Sequence, residues 1–126
     1  MSSDTELVQQ LYDGFNARNI DDVLAALAED VAWDNGMDGG HVHGREAVRA
    51  YWTEQWMTIS PHVEPKQISQ KPDGSTAVEV RQVVHDLQGA LLLDEMVRHV
   101  FRIEGGKVKR FDIKSASQLS SIVHGA

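Results

Sequence analysis

The sequence contains no cysteine, which excludes disulfides, thiolate metal sites, iron–sulfur clusters and cysteine nucleophiles and fits a reducing compartment. It also has no apolar run long enough to cross a bilayer, and its opening, MSSDTELVQQ, carries neither a basic nor an apolar signal region. A cytoplasmic protein with no membrane partner is the expectation. Basic residues are outnumbered 12 to 19 by acidic ones, for a formal net charge of -7. That charge repels phosphate backbones, and the lysines and arginines do not gather into one face, so nucleic acid is not an expected partner. Phosphate-binding loops, nucleotide fingerprints, nucleophile elbows, zincin motifs, repeats and linkers are all missing. At 126 residues the chain is read as one domain, 1–126, long enough to bury a core without staples.

What is present divides into a helical half and an alternating half. Ser3 and Glu6 have capping-box spacing, and Leu7, Val8, Leu11, Tyr12 and Phe15 follow on one stripe, predicting a helix from Asp4 to Ala17. Asn19 can cap a shorter second helix in which Ile20, Val23, Leu24 and Leu27 share a face, ending near Ala28. Val31 to Trp33 reads as a brief extended piece and Asn35 to Gly40 as a glycine-rich loop. A third helix starts after Gly44, with Val48, Trp52 and Trp56 on its apolar face.

From Pro61 the period becomes two. Turns at Pro72-Asp73-Gly74, Gln88-Gly89 and Glu104-Gly105-Gly106-Lys107 mark off strands over His62–Ser69, Thr76–Leu87, Ala90–Ile103 and Val108–Ser115. Connections this short make neighbours antiparallel, so helices first and a meander second give an α+β fold with the helices on one face.

The strand from Ala90 to Ile103 breaks its own pattern. Its odd positions, Leu91, Leu93, Val97, Phe101 and Ile103, are apolar except for Glu95 and His99. Burying either without a partner costs on the order of a few kcal/mol. On the preceding strand Val78, Val80 and Val84 share a parity with Gln82. A two-residue Gln88-Gly89 turn pairs these two inner sets and sets Glu79 opposite Arg98 outside. Phe111 and Ile113 then point inward, and Arg110 and Asp112 outward. One reading is a mostly apolar cavity in which Gln82, Glu95 and His99 converge with Trp33 and Trp52; the other is a core whose polar groups are satisfied by internal hydrogen bonds or by water at a wide mouth. Four residues along a strand span about 13 Å, so Glu95 and His99 do not form one dyad: they serve opposite ends of a ligand, or only one acts.

Two further groups stand out. Asp34, Asp38, His41 and His43 crowd one loop and have metal-ligand chemistry, but not at a rigid spacing, so a solvated loop and no metal is the expectation. Val83, His85, Leu92, Met96 and Val100 give the outer sheet face enough apolar character for a homodimer.

The stretches LVQQLYDGFNARNIDDVLAALAEDVAW, HGREAVRAYW and HVFRIEGGKVKRFDI resemble the nuclear transport factor 2-like superfamily, the fold shared by ketosteroid isomerases and SnoaL-like polyketide cyclases. The resemblance implies a cone-shaped α+β barrel, with three N-terminal helices packed in the concave face of a curved, mostly antiparallel sheet, and it too implies a homodimer. Ketosteroid isomerase uses an aspartate base opposite a tyrosine and a protonated aspartate. Counting from Asp30 and from Gly44 puts Asn35 at the base position, with Asp34 its neighbour. Leu11 falls at the tyrosine position with Tyr12 beside it, and His99 falls at the oxyanion aspartate. Steroid isomerase activity is therefore not expected. The implied function is a cofactor-independent isomerase, cyclase or hydratase acting on an apolar small molecule. His99 is the expected acid–base group or oxyanion donor and Glu95 or Asp34 the proton carrier; Asn35, Gln82, Trp33, Trp52, Tyr12, Val97 and Phe111 hold substrate. The rival is a non-catalytic module that dimerises or binds ligand or protein, its pocket vestigial.

Overall fold

The structure, a computed structural model, describes residues 3–35 and 39–115; Asp38 and the segment SQLSSIVHGA lie outside them, as does the side chain of Ser3. Three helices, α1 (Ser3–Asn16), α2 (Ile20–Ala25) and α3 (Arg45–Thr58), pack against a curved sheet of six strands. The strands are β1 (Leu27–Asp34), β2 (His41–His43), β3 (Ile59–Gln70), β4 (Thr76–Asp86), β5 (Leu91–Glu104) and β6 (Lys107–Ser115). Their order across the sheet is β2-β1-β6-β5-β4-β3, antiparallel except for β1 beside β6. The sheet stays open, with β2 and β3 at its edges. No helix among the described residues is long and apolar enough to cross a membrane.

The α+β architecture and the meander follow the sequence reading, whereas the middle of the chain corrects it. The second helix stops at Ala25, and Leu27 opens an eight-residue strand instead of ending a helical stripe. Leu27 pairs with Val108, and the Val108 N–H donates to the Ala26 carbonyl at 2.9 Å. The parallel partner thus claims backbone that the local helical pattern would have used, a tertiary override of propensity. His41–His43, read as loop, forms the short edge strand β2 against β1.

The β4–β5 hairpin reaches the expected register by a different route. The Asp86 N–H donates to Ala90 O, so the loop is the three residues Leu87-Gln88-Gly89, with Gly89 at φ 96°. Val84 faces Leu93 while His85 faces Leu91, leaving Leu92 as a bulge. One extra loop residue and one bulged residue cancel, so Glu79 faces Arg98 as expected, and Gln82 faces Glu95. Val78, Val80, Val97, His99 and Phe101 all face inward and are buried. The outer face carries cross-strand ion pairs, Arg98–Glu79 and Arg81–Asp94, each at 2.7 Å.

Two devices attach α1 to this sheet. Asn16 reads the free edge of β3 as a strand would: its side-chain amide donates to Val63 O at 2.7 Å and its Oδ1 accepts from Val63 N–H at 3.0 Å, while Arg18 donates to Pro61 O at 2.8 Å. Those contacts cover edge groups otherwise open to another chain. Where α1 crosses α2, Gly14 leaves no room for a side chain, since an added Cβ would lie 2.6 Å from Val23 Cγ2. Gly14→Ala should therefore destabilise the protein by about 1–3 kcal/mol through overpacking, in spite of alanine's better helix propensity. Urea unfolding measures this, and an increase in stability would contradict the close approach.

Candidate functional site

A cavity of about 70 Å³ lies between the helices and the inner face of the sheet. Phe15 on α1, Trp52 on α3, Trp33 on β1, Phe101 on β5 and Phe111 on β6 give its wall an aromatic character. These rings support one another: Trp33 stacks on Phe111 at 4.0 Å between centroids and meets Trp52 edge-on at 5.1 Å. Polar groups enter from five elements, as Tyr12, Tyr51, Gln55, Asp34, Gln82 and His99. A few polar groups in an aromatic wall are the usual form of a small-molecule site.

Tyr12 and His99 meet in this wall. The stripe of α1 presents Tyr12, the inner parity of β5 presents His99, and the tyrosine hydroxyl lies 2.7 Å from His99 Nδ1 with the two rings stacked. Both side chains are buried, with 2% and 5% of their surface exposed. Burial holds His99 well below the usual histidine range, to about 3, and pushes the Tyr12 phenol well above its ordinary value. The pair is consequently neutral across the physiological range. Between them the two neutral side chains carry two polar protons; their mutual bond uses one and leaves one donor. Among the described residues His99 Nε2 has no hydrogen-bond partner. His99 thus belongs to a neutral hydrogen-bonding couple rather than cycling through imidazolium near neutral pH.

Asp34 ends β1 at the same cavity, its Oδ2 accepting from the Ile113 N–H of β6 at 2.8 Å. Beside it, one ligand atom each from Asp34, His41 and Asp112 come within 4.8 Å of one another. The two carboxylates and one imidazole have donor types that divalent metals accept. The positive charge there is supplied by Arg110, whose Nε donates to Asp112 Oδ2 at 2.9 Å, while His41 Nε2 lies 2.9 Å from Asp112 Oδ1. Burial opposes the Asp112 charge, but bonds from Arg110 and His41 outweigh it and hold the carboxyl below its ordinary value. Asp112 shares the outward parity of Arg110 and Val100, as expected, and is half-buried in this network; His43 is exposed.

Seven expected site residues share the cavity wall: Tyr12, Trp33, Asp34, Trp52, Gln82, His99 and Phe111. Three stand outside it. Asn35 closes the β1–β2 connection through its backbone, Val97 packs in the core, and Glu95 is half-buried on the inner face of β5 opposite Gln82. Tyr51 and Gln55 escaped the sequence reading, although Val48, Tyr51, Trp52 and Gln55 keep helical i, i+3, i+4, i+7 spacing and so mark the inward face of α3.

The neutral His99 makes stability depend on pH. Unfolded, it titrates near 6.5; folded, it stays neutral down to about 3. Between those values the unfolded chain binds a proton that the folded chain refuses, so stability falls as pH drops, by up to about 1.4 kcal/mol per unit. His99→Gln should flatten this slope between pH 6 and 4 by about one proton's worth, read from urea midpoints across pH. Identical slopes in the two proteins would contradict a buried neutral imidazole.

The geometry has recognisable relatives. An NTF2-like protein of unknown function from Burkholderia pseudomallei superposes with a TM-score of 0.82 at 26% identity, covering 100% of both chains. TerC, co-crystallised with polyporic acid, gives 0.81 at 20% identity over 99% of this chain and 100% of its own. The epoxide hydrolase/cyclase-like enzyme SalBIII, of pyran ring formation in salinomycin, gives 0.76 at 19% identity over 90% and 91%. No curated protein matches the sequence. The SnoaL-like domain model matches residues 8–111, so the chain belongs to the SnoaL-like family, within the NTF2-like fold.

Proposed function

We propose that this protein binds an apolar, carbonyl-bearing small molecule and moves a proton on it without a cofactor, as an isomerase or cyclase. The observation that carries this reading is the neutral Tyr12–His99 couple, buried in an aromatic cavity that also contains the Asp34 carboxylate. A neutral pair with one spare donor is suited to a carbonyl oxygen, and more so to the enolate oxygen into which it develops. Asp34 would take a proton from the carbon next to the carbonyl, and the C–H electrons would pass into the enolate. With a double bond β,γ to the carbonyl the enolate is a dienolate, and return of the proton from Asp34 to its γ carbon moves the double bond into conjugation; alternatively, attack of the enolate carbon on a second carbonyl carbon of the same molecule closes a ring, and the alkoxide so formed takes the proton back from Asp34. Gln82 would orient the substrate, and low local dielectric strengthens each of these contacts. Asp34 adjoins Asn35, the position the family resemblance assigns to the base, so the carboxylate is displaced by one residue from the isomerase pattern.

A binding module without turnover is the second reading, and the cavity's size favours it: about 70 Å³ is below the several hundred usual for ligand pockets. A homodimer through the outer sheet face belongs to both readings, supported by exposed Leu92 and Met96 beside half-buried Val83 and Val100. The absence of cysteine supports a cytoplasmic setting.

Deuterium incorporation beside the carbonyl of 4-phenylcyclohexanone, followed by NMR in D2O, tests the proton transfer. The protein should accelerate exchange, and Asp34→Asn, which retains an acceptor for the Ile113 N–H, should slow it by roughly 10²–10⁴-fold. Binding without acceleration over buffer would leave the non-catalytic reading standing, and equal rates in the variant would remove Asp34 as the base.

A further inference from the structure

We propose that Glu95 and Gln82 form a second polar subsite at the open end of the cavity, selecting elongated apolar ligands that carry a hydroxyl or amine far from their carbonyl. The inference rests on the reading that Tyr12–His99 receives the carbonyl oxygen. Along the inner face of β5, Phe101, His99 and Val97 are buried, Glu95 and Leu93 are half-buried, and Leu91 is 59% exposed. Ile103, past Phe101, is half-buried as well, and it is Gln82, in the cavity wall opposite Glu95, that marks the way out on the Glu95 side. Gln82 lines the cavity wall on β4 and is the direct cross-strand partner of Glu95, so the two polar side chains adjoin on the same face.

Glu95 lacks the counter-charge that several acids of the sheet have. On the same sheet Glu79 pairs with Arg98, Asp94 with Arg81, Glu64 with Lys66 and Asp112 with Arg110. Among the described residues Glu95 has neither an ion pair nor a hydrogen bond, and partial burial raises its pKa. A half-desolvated carboxylate facing inward without a donor lacks the partner that such groups normally have. A ligand hydroxyl or amine would supply it, with Gln82 offering a further donor and acceptor. Spacing then fixes the ligand's shape: His99 and Glu95 are four residues apart, about 13 Å along the strand. A cavity volume of about 70 Å³ accommodates only the carbonyl end. The body must extend past Gln82, and its far end meets Glu95. On this account Glu95 recognises substrate and takes no part in the proton transfer.

Three compounds of one frame separate this proposal from the one on which it rests. 4-(4-Hydroxyphenyl)cyclohexanone carries both polar ends, 4-phenylcyclohexanone only the carbonyl, and 4-cyclohexylphenol only the hydroxyl. Titration calorimetry should show the first binding about 10-fold more tightly than the second, the size expected of a hydrogen bond to a carboxylate. In Glu95→Leu, checked for folding by thermal melting, the two ketones should bind within about twofold of each other. Glu95→Gln, which keeps an acceptor, should retain part of the preference. Equal binding of the ketones by the unmodified protein, or a preference that survives in Glu95→Leu, would overturn the subsite. Should 4-cyclohexylphenol bind as tightly as the hydroxylated ketone while the hydroxyl preference persists, the carbonyl reading of Tyr12–His99 falls and the Glu95 subsite stands.

Discussion

A tyrosine on the first helix and a histidine on the sheet, 2.7 Å apart and both buried, set the terms for everything around them. Buried polar groups are tolerated only when paired, and a buried imidazole is tolerated far more readily neutral than charged. The bond satisfies the first condition and the depressed histidine pKa meets the second. For the bond to form, α1 must lie across the inner sheet at one height and rotation. The Asn16 and Arg18 contacts to β3 fix that height, and the close approach of Gly14 to Val23 fixes how α1 meets α2. Fold and site are thus held by the same few contacts.

That constraint also limits the chemistry. With ionisation of both Tyr12 and His99 opposed by burial, the couple suits stabilising an oxygen better than carrying protons, which in the proposed reaction leaves the proton to the Asp34 carboxylate. Asp34 and Glu95 occupy different surroundings. Asp34 lines the wall at the junction of β1 and β6, held by a backbone N–H, while Glu95 stands further along β5, unpaired among the described residues. Two carboxylates in unlike environments suit two unlike tasks.

Strand parity carried the sequence reading furthest. The side-chain alternation along β4 and β5 assigned Gln82, Glu95 and His99 to the inner face, and a register paired 79 with 98. That register survives although the hairpin loop has three residues, because the Leu92 bulge restores the count. Burial patterns constrain the strands more strongly than loop length does, since a slip of one residue would turn Glu79, Arg81 and Arg98 inward. Where the pattern was short the reading failed: β1 was taken in part for helix and β2 for loop, since a few residues of mixed character fit either period.

By itself, the sequence determined the α+β class, the helical and alternating halves, the polar interruptions of the inner face and the resemblance to the NTF2-like fold. All of these are local properties, written in periodicity and turn chemistry over a dozen residues or fewer, or in motifs that lie along the chain. Only the tertiary structure decided that Tyr12 meets His99 across 87 positions, that β1 lies parallel to β6, that His41 turns to Asp112, and that Tyr51 and Gln55 share the cavity wall. Such contacts depend on how separately formed elements are stacked and rotated, and no spacing within one element encodes the distance to another.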